Sequence, residues 1–353
     1  LIQNLENGGR PPVDSTFDPR PSALIWPSPL GFRPSALTGA PRPEDGAPVP
    51  GEMYLANESR FNAAFFSEPL TTYAVGWRDP HQIEELLDFI APPIQVRRKF
   101  EFKRCDNSEA FLSEVDDTRA IGAEFKRVEY RGTSVVEKTH NRGLTLRVDL
   151  DTVEQVAGWR EMQINRLLQR LLRNELRRSV NALLDAATPT PKVWDTTAGK
   201  DPDADILIEL SAAADESGLR PNRILFGDIA WNKRLLAHRA QASASGYASS
   251  GLTTEELAGF LSVDGVRISR ERFQSSAAAK SRITGDVVLL FNGLDEAMAD
   301  DPTHAKRFWS AVEGGGKFRV YEQTVSAKHL DLTVEHYSNT VITSTIGLRK
   351  ITL

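Results

Sequence analysis

Residues 151–187 read "DTVEQVAGWREMQINRLLQRLLRNELRRSVNALLDAA", and their reading decides what kind of fold the rest can join. Ile164, Leu167, Leu168, Leu171, Leu172, Leu176, Val180, Leu183 and Leu184 recur at i, i+3 and i+4, which places them on one stripe of a helix facing a core. Asp151 with Glu154 has capping-box spacing, with Asp in place of Ser or Thr, and Pro189 supplies the stop. At 1.5 Å per residue, a helix over 151–187 is about 55 Å long, more than a small domain is wide. It is a spine to which other elements attach. Arg166, Arg170, Arg173, Arg177 and Arg178 fill much of the remaining surface. Because Glu154, Glu161, Glu175 and Asp185 share the helix, a solvated face or ion pairs between subunits accounts for these arginines as well as phosphate contact does.

Upstream of the spine the period changes to two. "KFEFK" alternates Phe100 and Phe102 with charges, and "LTLRVDL" alternates Leu144, Leu146, Val148 and Leu150 with Thr145, Arg147 and Asp149, so both read as strands. Between them lies a stretch dense in charges of both signs and thin in apolar groups. A long hairpin of this kind is marginal alone and needs a foreign surface. Before it, "DPHQIEELLDFIAPP" reads as a short helix with Asp79 as N-cap, Pro80 at the first position and Pro92 and Pro93 as the stop. The first 70 residues hold more than half of the 20 prolines, so no regular helix or central strand runs through them. Yet Leu24, Ile25, Trp26, Leu30, Phe32 and Leu37 are too apolar for a spacer. An arm that lacks a core of its own is expected to be held by another surface.

Downstream, helices and strands alternate. "NRILFG" reads as a buried strand running into a helix, "DIAWNKRLLAHRA", capped by Asp228, and "TTEELAGFLSV" as a helix with Thr253 and Glu256 in a capping box. "GVRISRERF" and "GDVVLLFNG" are strand candidates, and "KFRVYEQTVSAKHLDLTVEHYSNTVITSTIGLRKITL" supplies strands to the end. The body is mixed α and β without the regular rhythm of a doubly wound nucleotide fold.

The search for chemistry excludes more than it finds. A net charge of −5 over 353 residues offers no global basic field for nucleic acid or anionic membrane. Cys105 is the single cysteine, which excludes an intrachain disulfide and points to a reducing compartment. No run approaches the roughly 18 apolar residues of a membrane span, and the opening "LIQNLENGGR" carries no basic-then-apolar pattern of a secretory signal. "TTAGKDP" lacks the first glycine and the hydroxyl of a phosphate loop, "GYASSG" misses the spacing of a nucleophile elbow, and "EGGGKF" reads as a hinge or loop tip. His329 and His336 flank Asp331 and Glu335, but seven residues along a strand put the two imidazoles on opposite faces, so they make a poor metal site. Asp116 with Asp117, and Asp300 with Asp301, read as solvated turn residues, and no cofactor is expected.

The order of parts resembles the major capsid protein of tailed bacteriophages with the Hong Kong 97 fold. The most recognisable local piece is "RPNRILFGDIAWNKRLLAHRA", where Pro221 and Asn222 precede an apolar strand and then Ala230, Trp231, Leu235 and His238 on a helix. "DDTRAIGAEFKRVEYRGTSVVEKTHNRGLTLRVDLD" looks like the extended loop leading into that family's spine helix.

That resemblance implies an α+β capsid fold: an extended N-arm over 1–70, a short helical segment over 71–95 and an E-loop hairpin over 96–150. The spine helix of the peripheral domain would take 151–190, the axial domain with part of the peripheral domain 191–315, and C-terminal strands 316–353. It further implies a non-enzymatic shell protein forming pentamers and hexamers of an icosahedral head around double-stranded DNA, bound without sequence specificity. Portal, scaffolding and decoration proteins would be its further partners, with no membrane, and the head would be assembled in a bacterial host's cytoplasm. Contacts between copies would fall on Trp26 and Phe32 of the arm and on Lys103, Arg119, Lys126 and Arg131 of the loop. Some relatives cross-link a loop lysine to an asparagine beside a glutamate. Lys103, Lys126 or Lys138 with Asn339 and Glu335 would be the counterparts, though nothing local supports that chemistry. The rival readings are an encapsulin-type nanocompartment shell of the same fold and a soluble enzyme with an unrecognised site.

Overall fold

The computed structural model describes residues 65–104, 118, 119, 121–125, 133–153, 155–313 and 315–353. In chain order its first elements are α1 (Glu68–Gly76), α2 (Ile83–Ile90), β1 (Pro93–Gln95), β2 (Lys99–Arg104), β3 (Thr133–Lys138) and β4 (His140–Asp149). Then follow α3 (Leu150–Val153), α4 (Trp159–Ala186), β5 (Thr188–Pro191), α5 (Pro202–Ser217), β6 (Arg223–Gly227), α6 (Asp228–Ala240), α7 (Ala244–Ser250) and α8 (Thr254–Leu261). The last are β7 (Gly265–Ser269), β8 (Arg272–Gln274), β9 (Lys280–Arg282), β10 (Val287–Phe291), β11 (Ala305–Ser310), β12 (Arg319–Thr324), β13 (His329–Ile342) and β14 (Arg349–Thr352).

The spine forms, but it is shorter than expected. Gly158 takes the left-handed conformation at φ 70°, which separates the single turn α3 from α4. The 28 residues of α4 therefore span about 42 Å, and they start at Trp159 instead of Asp151. Glu154 of the expected capping box lies outside the described residues; the turn at α3 is held by Asp149, which accepts from the Asp151 amide at 3.1 Å.

Two five-stranded sheets flank this helix. In the first, β13 is the hub: β4 pairs antiparallel along one edge, β12 and β11 pair antiparallel along the other, and β1 adds parallel to β11. Within 96–150, β2 and β3 pair with each other as a separate two-stranded ribbon, while β4 belongs to this sheet. The N-terminal half of α4 packs Ile164, Leu167, Leu168 and Leu171 on Val148, Val320, Leu330, Leu332 and Val334. The second sheet has the order β5-β14-β10-β6-β7. Its central strands are apolar on both faces: Leu225, Leu289 and Phe291 face Leu172, Leu176, Val180 and Leu183 of α4, with Ile83, Leu87 and Ile90 of α2. Ile224, Phe226, Val288 and Leu290 face α5, α6 and α8 through Ile206, Leu210, Ala230, Ala237, Leu257 and Leu261. A strand covered on both faces reads as a continuous apolar run, as "RILFG" and "VVLLF" do.

The end signals were legible with local displacements. Thr253 and Glu256 form the expected reciprocal capping box of α8. Asp79 serves α2 from a distance: Gln82 occupies the N-cap position at φ 57°, and the Asp79 carboxylate reaches the amides of His81, Ile83 and Glu84. Asp228 does not cap α6. Gly227 holds that position because a Cβ there would lie 2.1 Å from the Gly285 carbonyl oxygen, and Asp228 instead accepts from Arg272 at 2.8 Å.

Candidate assembly ribbon and internal charge cluster

The ribbon's two faces differ. Alternation along β2 turns Phe100 and Phe102 inward, where their rings lie 4.3 and 5.7 Å from that of Phe308 and Val135 packs beside them. The ribbon base is thus fixed to its own body, more firmly than a hairpin without a core would be. The Lys103 amide donates to the Asp300 carboxylate at 2.8 Å, a second tie. On the other face Val136, opposite Glu101, remains 70% exposed, and further along the excursion Ile121 is fully exposed and Phe125 is 73% exposed. The Arg119 guanidinium sits 5.0 Å over the Phe125 ring. Of the residues expected to contact other copies, Lys103 and Arg119 are placed here, whereas Trp26, Phe32, Lys126 and Arg131 lie outside the described residues, as does Cys105. Asn339 and Glu335 are engaged within the chain: Asn339 donates to the Lys138 carbonyl at 3.0 Å, and Glu335 accepts from Tyr321 at 2.5 Å and from Asn141 at 3.1 Å.

Asp300 is an exposed turn residue as expected, but Asp301 is not. Asp301 pairs with the fully buried Lys306 ammonium at 3.0 Å, and that ammonium also donates to the carbonyls of Ala299 and Asp301. Burial works to raise the Asp301 carboxyl, but hydrogen bonds from Thr303 and the Lys306 charge hold it below the usual carboxylate value. A similar buried tie joins α5 to α6, where Asp203 takes both Arg234 Nε at 2.6 Å and Nη2 at 2.8 Å, with His238 Nε2 at 3.1 Å.

A third charged group lies where α4 crosses β13. The inward row of β13 runs Leu330, Leu332, Val334 and then His336 and Ser338, while the sheet-facing stripe of α4 breaks its apolar run with Glu175 and Ser179. Glu175, Arg307 and His336 are each 1% exposed. Arg307 Nη1 donates to Glu175 Oε2 at 3.4 Å, and its Nη2 pairs with Asp88. Lys317 pairs with Glu84 at 2.9 Å, Ser179 meets Thr340 at 3.0 Å, and the Phe318 ring lies 5.5 Å from that of His336. Burial raises Glu175, but the Arg307 charge, then those of His336 and Lys317, and a hydrogen bond from Ser338 outweigh it and hold its carboxyl at about 2. Burial drives His336 down to about 4, helped by Lys317, Arg178 and Arg307 and opposed by Glu175. His336 is therefore neutral at physiological pH. His329, at the start of the strand, contacts Ser326 instead. Sequence reasoning missed this cluster because its members are far apart in the chain; the only local signals were one acid and one serine inside an apolar stripe.

Among the described residues no helix is long and apolar enough to cross a membrane. No protein-family profile matches the chain, and no curated protein matches it. Among solved structures it is similar to a phage-related protein from Bordetella bronchiseptica RB50, with 19% identity over 82% of this chain and 98% of that one and a TM-score of 0.61. It is also similar to the capsid of a native GTA particle, with 12% identity, 78% and 91% coverage and a TM-score of 0.49. A further likeness is to the SrpI encapsulin of Synechococcus elongatus PCC 7942, with 13% identity, 84% and 94% coverage and a TM-score of 0.46. The likeness to the phage-related protein is one of fold alone, and the chain shares that protein's mixed α and β architecture.

Proposed function

We propose that the chain is a major capsid protein, a non-enzymatic building block that assembles through copies of itself into the pentamers and hexamers of an icosahedral phage head enclosing double-stranded DNA. The observation that carries this reading is the ribbon: its inner face is dry against its own body, and its outer face and excursion leave Val136, Ile121 and Phe125 in water. Exposed apolar groups on one ribbon and its excursion are accounted for if a sister copy covers them. Residues 1–70 are assigned as the N-arm, 96–150 as the E-loop region, 151–190 as the spine, 191–315 as the axial domain with part of the peripheral domain, and 316–353 as the strands completing the body. Trp26, Phe32, Lys103, Arg119, Lys126 and Arg131 are the proposed contacts between copies. Many modest contacts repeated around a closed shell give stability by multivalency while each remains revisable during assembly. The head would form in the bacterial host cytoplasm and meet portal, scaffolding and decoration proteins.

Electron microscopy of the full chain expressed in bacteria, with nucleic acid extracted from purified particles after nuclease treatment, tests the reading. Closed shells holding nuclease-protected DNA are expected when the packaging proteins are supplied. Shells that enclose only protein under those conditions would establish the nanocompartment alternative, and a small oligomer that turns over substrate would establish the enzyme alternative.

A further inference from the structure

The buried cluster at the middle of α4 is an expensive way to join a helix to a sheet. Apolar groups close both ends of that interface, through Leu167, Leu168 and Leu171 on one side and Leu176, Val180 and Leu183 on the other, yet Glu175 and His336 interrupt the seam between them. Glu175 Oε1, Arg307 Nε, Arg178 Nη2 and both ring nitrogens of His336 have no hydrogen-bond partner among the described residues. Buried polar groups are ordinarily paired, so an imidazole with neither nitrogen anchored is held by packing alone.

The charges facing His336 come from every element around it. α4 contributes Glu175 and Arg178, β11 contributes Arg307, and Lys317 stands just before β12. Asp88 and Glu84 of α2 reach the cluster through Arg307 and Lys317, and Arg142 of β4 is the cross-strand partner of His336. Cations outnumber carboxylates in this shell. A proton arriving on His336 would add one more positive charge, and neither of its two N–H groups would meet an acceptor in the closed arrangement: Glu175 turns Oε2 to Arg307, and its Oε1 makes no hydrogen bond to the imidazole. The closed cluster has no place for the imidazolium, whereas a cluster opened to water does.

We propose that His336, Glu175 and Arg307 form a proton-operated latch, in which protonation of His336 releases the middle of α4 from β13 while the apolar seams at either end keep the body folded. The inference goes beyond the shell reading and does not depend on it. The direction follows from linkage: a base that is harder to protonate in the closed form favours opening as pH falls from its ordinary value of 6.5 toward about 4, and adds nothing more below that. Below the ordinary glutamate value of 4.5, protonation of Glu175 continues the loosening down to about 2.

Hydrogen exchange of the full chain, corrected for intrinsic rates and followed by mass spectrometry at pH 7.5 and pH 5, tests the latch. Peptides covering residues 172–180 and 335–340 are expected to lose on the order of tenfold or more in protection at the lower pH, since one proton is worth up to about a factor of ten per pH unit. Peptides covering 164–168 and 330–333 should change little, and in His336→Phe the acid response at 172–180 should vanish. An equal acid response in His336→Phe, or none in the wild-type chain, overturns the proposal. Should that variant fail to fold, carbon-13 labelling of histidine in the wild-type chain decides: His336 titrating below pH 5 supports the latch, and His336 titrating above pH 6 sinks it.

Discussion

The β6–β10 pair and the β2–β3 ribbon are both antiparallel ladders, the first built from apolar runs and the second from apolar residues alternating with polar and charged ones, and they end in opposite circumstances. β6 and β10 are covered on both faces by helices of their own chain. The ribbon dries one face on Phe308 and leaves Val136 of the other in water. An antiparallel pair can fold with one face in water, so what marks the ribbon is that its wet face carries the apolar Val136. The comparison therefore separates residues that make the subunit from residues free to join subunits, and substitutions on the two ladders should divide along the same line.

The largest loss is expected in the body. Phe226 is fully buried and packs edge-on against Trp231 at 5.2 Å, so Phe226→Ala should cost about 3–5 kcal/mol, read from the denaturant midpoint. A value under about 1 kcal/mol would mean that the second sheet is not a closed core. Arg307→Ala should cost a similar about 3–5 kcal/mol, because it strands Glu175 in the interior without its cation. That loss should shrink when Glu175→Leu is added, an outcome that distinguishes an uncompensated charge from lost packing. Removing the cap of α8 with Thr253→Ala is a smaller, local change of about 1 kcal/mol, with helix content otherwise kept. On the ribbon's wet face, Val136→Ser should move the stability of the isolated subunit by no more than about 0.5 kcal/mol. A larger cost would place Val136 inside the subunit's own core and erase the comparison.

What the sequence disclosed was local. The stripe from Ile164 to Leu183, the period-two alternation of Phe100 with Phe102, the two continuous runs at β6 and β10 and the Thr253 capping box each involve neighbours within a few residues. Gly158 stood in the sequence as a break, but the stripe beyond it invited reading the helix back to Asp151. Asp228 stood at a natural cap position, and only the approach of the Gly285 carbonyl, far along the chain, explains why Gly227 takes it. The charged groups were hardest to place. Glu175 pairs with Arg307, Asp301 with a buried Lys306 and Asp203 with Arg234, and a single sequence carries no mark of which distant acid meets which base. Of the proposed contacts between copies, Lys103 lies on the ribbon and Arg119 in its excursion. Their partners on a second copy are a matter of assembly, which the fold of one chain does not write into its own contacts.

The account turns on the ribbon's exposed residues being covered by sister copies, and sedimentation velocity tests this most directly. The full chain and the triple variant Ile121→Ser, Phe125→Ser, Val136→Ser would be compared at equal concentration, with thermal unfolding run on both. The account predicts shell-sized particles from the former and folded small species of nearly unchanged melting temperature from the latter. Shells of normal size from the triple variant, or a wild-type chain that stays monomeric at high concentration, would contradict it.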